Sequence, residues 1–223
     1  MDWKNLFSTS VGKKLQMSLT GLFLITFLLV HCYINAQIFR NDGGKTFLAY
    51  AHFMGTDYVI RTVEIGLFAF LIIHTIQGLF LYFRNRSKRN TGYATNAAGA
   101  KSSKWYSRSM ALLGTLILIF LTVHLSKFWG PNRYSQTFGS GELNLYEMMQ
   151  NEFHITWVVI FYVCGNVALS WHLLHGFYSA FQTLGLGMSR YKGIIKTVGV
   201  AFSIIIPLIF AMMPIVIYFD LIS

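Results

Sequence analysis

Four histidines stand inside long apolar runs of this chain: His31, His74, His124 and His172. An ionisable ring at that depth is costly unless something partners it, so each is a candidate functional residue. A neutral imidazole there can hydrogen-bond a neighbouring helix, carry protons, or ligate a metal through one ring nitrogen. Any one of the four alone reads as a hydrogen-bonded residue of a helix bundle. One in each of four successive apolar runs is a pattern, and the elements that position them decide its meaning.

Those elements read as membrane spans. Of 223 residues, 54% are hydrophobic, 17% aromatic and 12% charged, against about 25% charged in a soluble domain. Five apolar runs, at 15–39, 58–83, 107–129, 153–184 and 194–218, each reach the roughly 20 residues that a bilayer crossing needs. The fold expected is an all-α membrane protein, one domain over 1–223 built as a bundle of five transmembrane helices. The connections are too short for a separate soluble core. Asn41-Asp42-Gly43-Gly44 signals a turn in a loop from Arg40 to Asp57. Residues 130–144 read as a Gly/Pro-rich loop, followed by a short interfacial helix over Leu145–Asn151. Pro207 and Pro214 fall inside the last span, where kinks are expected. No cleavable signal pattern precedes the first span, which is therefore read as retained. Cys32 and Cys164 lie in apolar runs and read as buried free thiols.

The net charge is +10. In a soluble protein that points to nucleic acid, but here the basic residues sit between the spans. Thirteen of the 18 Lys and Arg fall on the N-terminal side of the bilayer, among them Lys13, Lys14, Arg84, Arg190 and Lys192. Seven of the eight acids fall on the other side. The positive-inside rule then predicts a cytoplasmic N-terminus and an outside C-terminus.

Topology turns position into depth. At 1.5 Å per residue, His31 and His124 lie roughly 24–25 Å above the inner end of their spans, and His74 and His172 roughly 13 Å. The histidines thus form two levels, His31 with His124 and His74 with His172, each pair drawn from two helices. Two facing imidazoles at one depth suit a flat macrocycle held between helices. Two b haems fit, each with two axial histidines and no open position, which means electron transfer rather than oxygen activation. The second ring nitrogen is expected on a backbone carbonyl one turn earlier. Gly78 and Gly176 each follow a lower histidine by four residues, on the same face, where a bulky side chain would collide with a porphyrin. His175, three residues past His172, is the alternative ligand. His52 and His154 read as surface residues.

Residues 10–35, SVGKKLQMSLTGLFLITFLLVHCYIN, resemble the first-helix motif of the cytochrome b subunit of succinate dehydrogenase and fumarate reductase, in which Ser, Lys, Met and Thr-Gly precede the haem histidine and Asn follows it by four. Five spans, with one histidine in each of the first four, extend the resemblance over essentially the whole chain, closest to the di-haem, single-anchor type of bacteria that often use menaquinone. The resemblance implies a bacterial cytoplasmic membrane protein with a flavoprotein and an iron–sulfur protein docked on its cytoplasmic face. Electrons then pass between the iron–sulfur clusters, two b haems and quinone. It carries the ligand pairs over as His31 with His124 and His74 with His172, and it places Ser18 near an inner-haem propionate. Where some members have a glutamate two residues before the fourth-span ligand, this chain has Ser170, so any transmembrane proton path must use other groups.

A quinone needs an apolar slot and a proton-handling group. The outer-side candidates are Glu64, His52 and Asp57, and Glu64 alternatively pairs with Arg61. The basic segment Arg84–Arg108 reads as a lipid-facing topology determinant or a docking surface for the iron–sulfur partner. Two other readings stay open. One is the di-haem anchor of another quinone-linked dehydrogenase. The other is a histidine-based metal or proton transporter, which would call for more acids inside the spans.

Overall fold

The computed structural model describes residues 9–87, 110–139, 141–185 and 190–222. Within them lie α1 (Ser10–Asn35), a 3-10 turn (Ala36–Arg40), α2 (Lys45–Thr56), α3 (Tyr58–Ser87), α4 (Met110–His124), a π segment (Leu125–Trp129), α5 (Gly130–Phe138), α6 (Leu145–Phe153), α7 (Thr156–Thr183) and α8 (Lys192–Tyr218). No strand occurs among the described residues. Five helices are long and apolar enough to cross a membrane: Val11–Arg40, Tyr58–Arg84, Met110–Phe138, Thr156–Thr183 and Lys192–Tyr218. The all-α, five-span reading therefore holds. Most of the basic segment Arg84–Arg108 lies outside the described residues.

α1, α4 and α8 rise toward one end of the bundle, and α3 and α7 descend from it. The 3-10 turn, α2, α5 and α6 cap that end. α1 packs on α3 and α7, and α7 on α4, while α3 and α4 meet least closely. These four form a square, with α8 laid along α7 outside it. No residue in the most apolar stretch of α3 is buried, and Ile65, Ile72, Ile76 and Phe80 are exposed along it. An apolar surface of that extent is a lipid-facing surface. The largest buried cluster sits under the cap, where Ile38, Phe47, Met149, Phe153, Tyr162, Met213 and Ile217 meet.

Two stretches expected to be loops are helical. The 40–57 connection holds α2, because Asp42 Oδ2 accepts from the Thr46 backbone N–H at 3.1 Å and completes the first turn. Gly44 supplies the left-handed φ of 74° just before it. Residues 130–138 continue the third span instead of leaving it. Pro131 has no N–H and its ring crowds the carbonyl four residues back. The π turn widens the helix just there, with Gly130 N–H reaching Leu125 O, and the helix runs on through the proline. Both cysteines are free, and Cys164 is exposed rather than buried, on an apolar surface facing outward.

Close helix approach uses Gly165, where an added Cβ would stand 2.5 Å from the Phe120 ring of α4. Between α7 and α8 one contact is polar. Pro207 cannot donate to the carbonyl of Ser203, four residues before it. Ser170 Oγ donates to that carbonyl at 2.7 Å, and Ser203 is fully buried. Ser170 thus closes the gap that the proline opens. Replacing Ser170 with Ala strands a buried carbonyl, and we expect a loss of about 0.6–2 kcal/mol. The check is the thermal midpoint of the detergent-solubilised protein, with Ser170→Thr as the control that keeps the hydroxyl.

Candidate functional site

The structure brings the four histidine rings together in two pairs. His31 and His124 stand 6.0 Å apart between ring centres, at an interplanar angle of 85°. His74 and His172 stand 6.3 Å apart at 67°. The first pair comes from α1 and α4 and the second from α3 and α7, so each spans one diagonal of the helix square. The ring that meets His74 is that of His172, and His175 lies one turn beyond it.

The surroundings of the two pairs differ. Phe27 and Phe120, each four residues before an upper histidine, stack on the His31 and His124 rings at 5.2 and 5.7 Å. Phe210 of α8 closes on His31 at 5.5 Å. The lower pair is met by polar groups and open space. Thr20 Oγ1 lies 3.2 Å from His74 Nδ1. His172 Nδ1 is buried with no hydrogen-bond partner, and an added Cβ at Gly176 would meet nothing within 4 Å.

Side chains meet ring nitrogens of both upper histidines, and at His74 the Met17 backbone of α1 joins Thr20. His124 Nδ1 lies 3.2 Å from the Tyr162 hydroxyl. The Asn35 amide lies 3.2 Å from His31 Nδ1 and donates to the His31 carbonyl at 2.7 Å. The sequence reading missed Thr20 and Tyr162, because nothing in one chain says which helix faces which. Ser18 is buried but sits two residues from Thr20, about 200° around α1. Thr20 is the residue set against the His74 ring.

Haem can be tested against these dimensions. Two imidazole–metal bonds of about 2.0–2.1 Å, with each ring centre about 1.1 Å behind its nitrogen, span roughly 6.2 Å. Both pairs match that separation. Among the described residues no three His, Cys, Asp or Glu side chains cluster as a cage for a bare metal ion. A macrocycle that supplies the remaining ligands suits a site of two histidines, and the orphaned His172 nitrogen beside the bare Gly176 surface suits it further. The donor set fits.

The other candidates lie near the cap. Glu64 is clamped by Arg133, whose Nη2 donates to both carboxylate oxygens at 2.8 and 2.6 Å. Trp129 Nε1 donates to it at 2.5 Å. Arg61, the partner expected from sequence, stands back at 3.9 Å. Arg61, Glu64, Ile65, Phe68, Trp129 and Arg133 line an open cavity of about 250 Å³ between α3 and the extended third span. His52 Nδ1 donates instead to Glu142, and Asp57 caps α3 by accepting from Val59 and Ile60 N–H at 2.9 and 3.0 Å. Lys127 donates to Glu152 at 2.9 Å. Hydrogen bonds run on from Glu64 through Arg133, Gln136 and Glu142 to His52.

The chain is similar to the succinate dehydrogenase cytochrome b558 subunit of Bacillus subtilis (strain 168), with 28% identity over 184 residues that cover 81% of this chain and 83% of that protein. No family model matches the chain, and no solved structure matches it.

His154, beyond the spans, gives a pH prediction. Its Nδ1 meets the Gln150 carbonyl at 2.6 Å and its Nε2 meets Asp220 at 2.9 Å. The carbonyl first, and then the carboxylate, raise its pKa above the ordinary 6.5. A raised histidine stabilises fully below the unfolded pKa and loses that contribution as pH rises through the folded one. We expect the protection factors of the residue 219–222 amides, which divide out the intrinsic base-catalysed rate, to fall as pH climbs from about 6.5 through the raised value. His154→Gln should abolish that pH dependence.

Proposed function

We propose that this chain is the membrane-anchoring cytochrome b subunit of a succinate:quinone oxidoreductase. In this reading it is a single domain, 1–223, that holds two b haems and relays electrons between an iron–sulfur subunit and membrane quinone. The observation that carries the reading is the pair of histidine diagonals at 6.0 and 6.3 Å. The likeness to a succinate dehydrogenase cytochrome b subunit, over most of both chains, supports it. The charge asymmetry of the sequence supports an N-terminus on the cytoplasmic side of a bacterial inner membrane and a C-terminus outside. A flavoprotein and the iron–sulfur protein then dock at the uncapped end, nearest His74 and His172.

His31 and His124 would hold the outer haem, and His74 and His172 the inner one. Bound there, b haem supplies reversible one-electron transfer without an open coordination position. The protein's work is to hold and to shield. Phe27, Phe120 and Phe210 wall the upper rings, and the lipid-facing side chains keep water from the bundle core.

The quinone, menaquinone by the resemblance, is assigned to the cavity lined by Phe68, Trp129 and Glu64. Its apolar wall suits a flat ring, and its open side faces lipid, from which such a molecule arrives. His52 and Asp57 are engaged elsewhere, so Glu64 is the group left to handle protons. Its oxygens are acceptors held in place by Arg133, positioned to take a proton from a bound quinol or to guide one to a quinone.

Purified and reduced with dithionite, the protein should show low-spin b-haem absorption with about two haems per chain. A folded, colourless protein would overturn the proposal. His74→Ala should remove the inner haem and stop electron entry from the iron–sulfur partner, while the outer haem stays. Glu64→Gln should slow quinone turnover roughly tenfold or more without changing haem content. Equal turnover would move the quinone elsewhere.

A further inference from the structure

We infer that Thr20 is a positioning residue for His74, holding the ring as the Nδ1–H tautomer so that Nε2 keeps its lone pair for a metal. The inference rests on the di-haem reading and adds to it a residue with no ligand role of its own.

A threonine hydroxyl has one proton and two lone pairs. Thr20 Oγ1 gives its proton to the helix, at 2.8 Å from the Gln16 carbonyl with the Met17 carbonyl at 3.2 Å. It has only lone pairs left for His74 Nδ1, 3.2 Å away. The contact therefore runs one way, with Nδ1–H donating and Oγ1 accepting. The nitrogen that does not make this bond is then the unprotonated one, and in a histidine ligand that choice decides which atom meets the metal.

The other three rings are met differently. Among the described residues the Tyr162 hydroxyl at His124 meets no second acceptor that would claim its proton. The Asn35 amide nitrogen has a proton for the His31 carbonyl and another for His31 Nδ1, so that ring nitrogen accepts. His172 Nδ1 has no partner.

The seam between α1 and α3 keeps the hydroxyl in place. One turn toward the open end, Gln77 Nε2 donates to Gln16 Oε1 at 2.9 Å. One turn toward the cap, the Phe23 and Phe70 rings meet at 4.7 Å. Thr20 is itself buried. Its neighbour Gly21 lies against the same ring, where an added Cβ would stand 3.5 Å from His74 Cε1. The Thr20-Gly21 step thus offers the imidazole an acceptor and a bare backbone side by side.

The test compares Thr20→Val, which keeps the shape and loses the acceptor, with Thr20→Ser, which keeps the acceptor. Both are made in the full chain, in its native membrane with its partner subunits. The readouts are haem per chain, the midpoint potentials of the two haems, and their low-spin electron paramagnetic resonance signals. Loss of such an orienting partner weakens metal binding by about 10–100-fold. Thr20→Val should lower inner-haem occupancy or shift that haem's potential and signal, while the outer haem stays unchanged in the same molecule. Thr20→Ser should behave as wild type.

Two wild-type haems in Thr20→Val would overturn the inference. So would a Thr20→Ser variant as defective as Thr20→Val, or equal damage to both haems, since each points to packing rather than to the hydrogen bond. A wild-type protein without haem would instead remove the di-haem reading itself.

Discussion

In the core of a bilayer no water is at hand to pair a polar group, so each must find its partner within the protein. That constraint arranges this bundle. Its spans are almost wholly apolar, and their polar side chains either turn back on their own helix, as Thr26, Thr115 and Thr122 do by donating to the carbonyl four residues before, or fall where two helices touch or where a helix has lost a hydrogen bond of its own. Thr20 meets His74, Tyr162 meets His124, Gln77 meets Gln16, and Ser170 meets the carbonyl that Pro207 leaves unpaired. Apolar helices slide past each other at little cost in lipid. Here these sparse contacts set register and rotation, and with them the height at which each imidazole stands.

Among the described residues, the ion pairs obey the same constraint by gathering at the cap. Glu64 is bound by Arg133, Lys127 by Glu152, and His52 by Glu142. The π segment matters to this arrangement. It carries the third span through Pro131, adds a wider turn, and delivers Trp129 and Arg133 to the α3 side, where both reach Glu64. Its first residue directly follows His124. One backbone irregularity therefore links the upper histidine pair to the rim of the Glu64 cavity.

The sequence made some of this legible and hid the rest for stated reasons. Helix length, charge asymmetry and rise per residue are local or additive quantities, and they were enough to give five spans and two histidine levels. The helices at Lys45–Thr56 and Gly130–Phe138 run where Gly and Pro in the sequence point to loops. In fact Asp42 caps one helix, and a π turn absorbs the proline of the other. Glu64 keeps the alternative partner that sequence offers, Arg61, at 3.9 Å, but its nearer partner is Arg133, 69 residues away in sequence. Depth locates a residue along the bilayer normal but says nothing of rotation about the helix. Rotation separates Thr20 from Ser18, and only the packed bundle supplies it.

The two levels are built differently, and the difference bears on what they would do. The upper pair is wrapped in aromatic rings and lies just under a layer of paired charges. The lower pair has a hydroxyl on one ring, an unpartnered nitrogen on the other, and a glycine opening beside it. A bound group that changes charge is stabilised according to the dipoles and dielectric around it, so two chemically identical groups at these levels would not share one potential. The upper site sets the Asn35 amide and the Tyr162 hydroxyl among aromatic walls, while the lower site offers the Thr20 hydroxyl and an unpartnered ring nitrogen. An electron moving between the levels would thus meet a step fixed by the protein, not by the cofactor. The sign of that step decides which end of the relay holds the electron at rest.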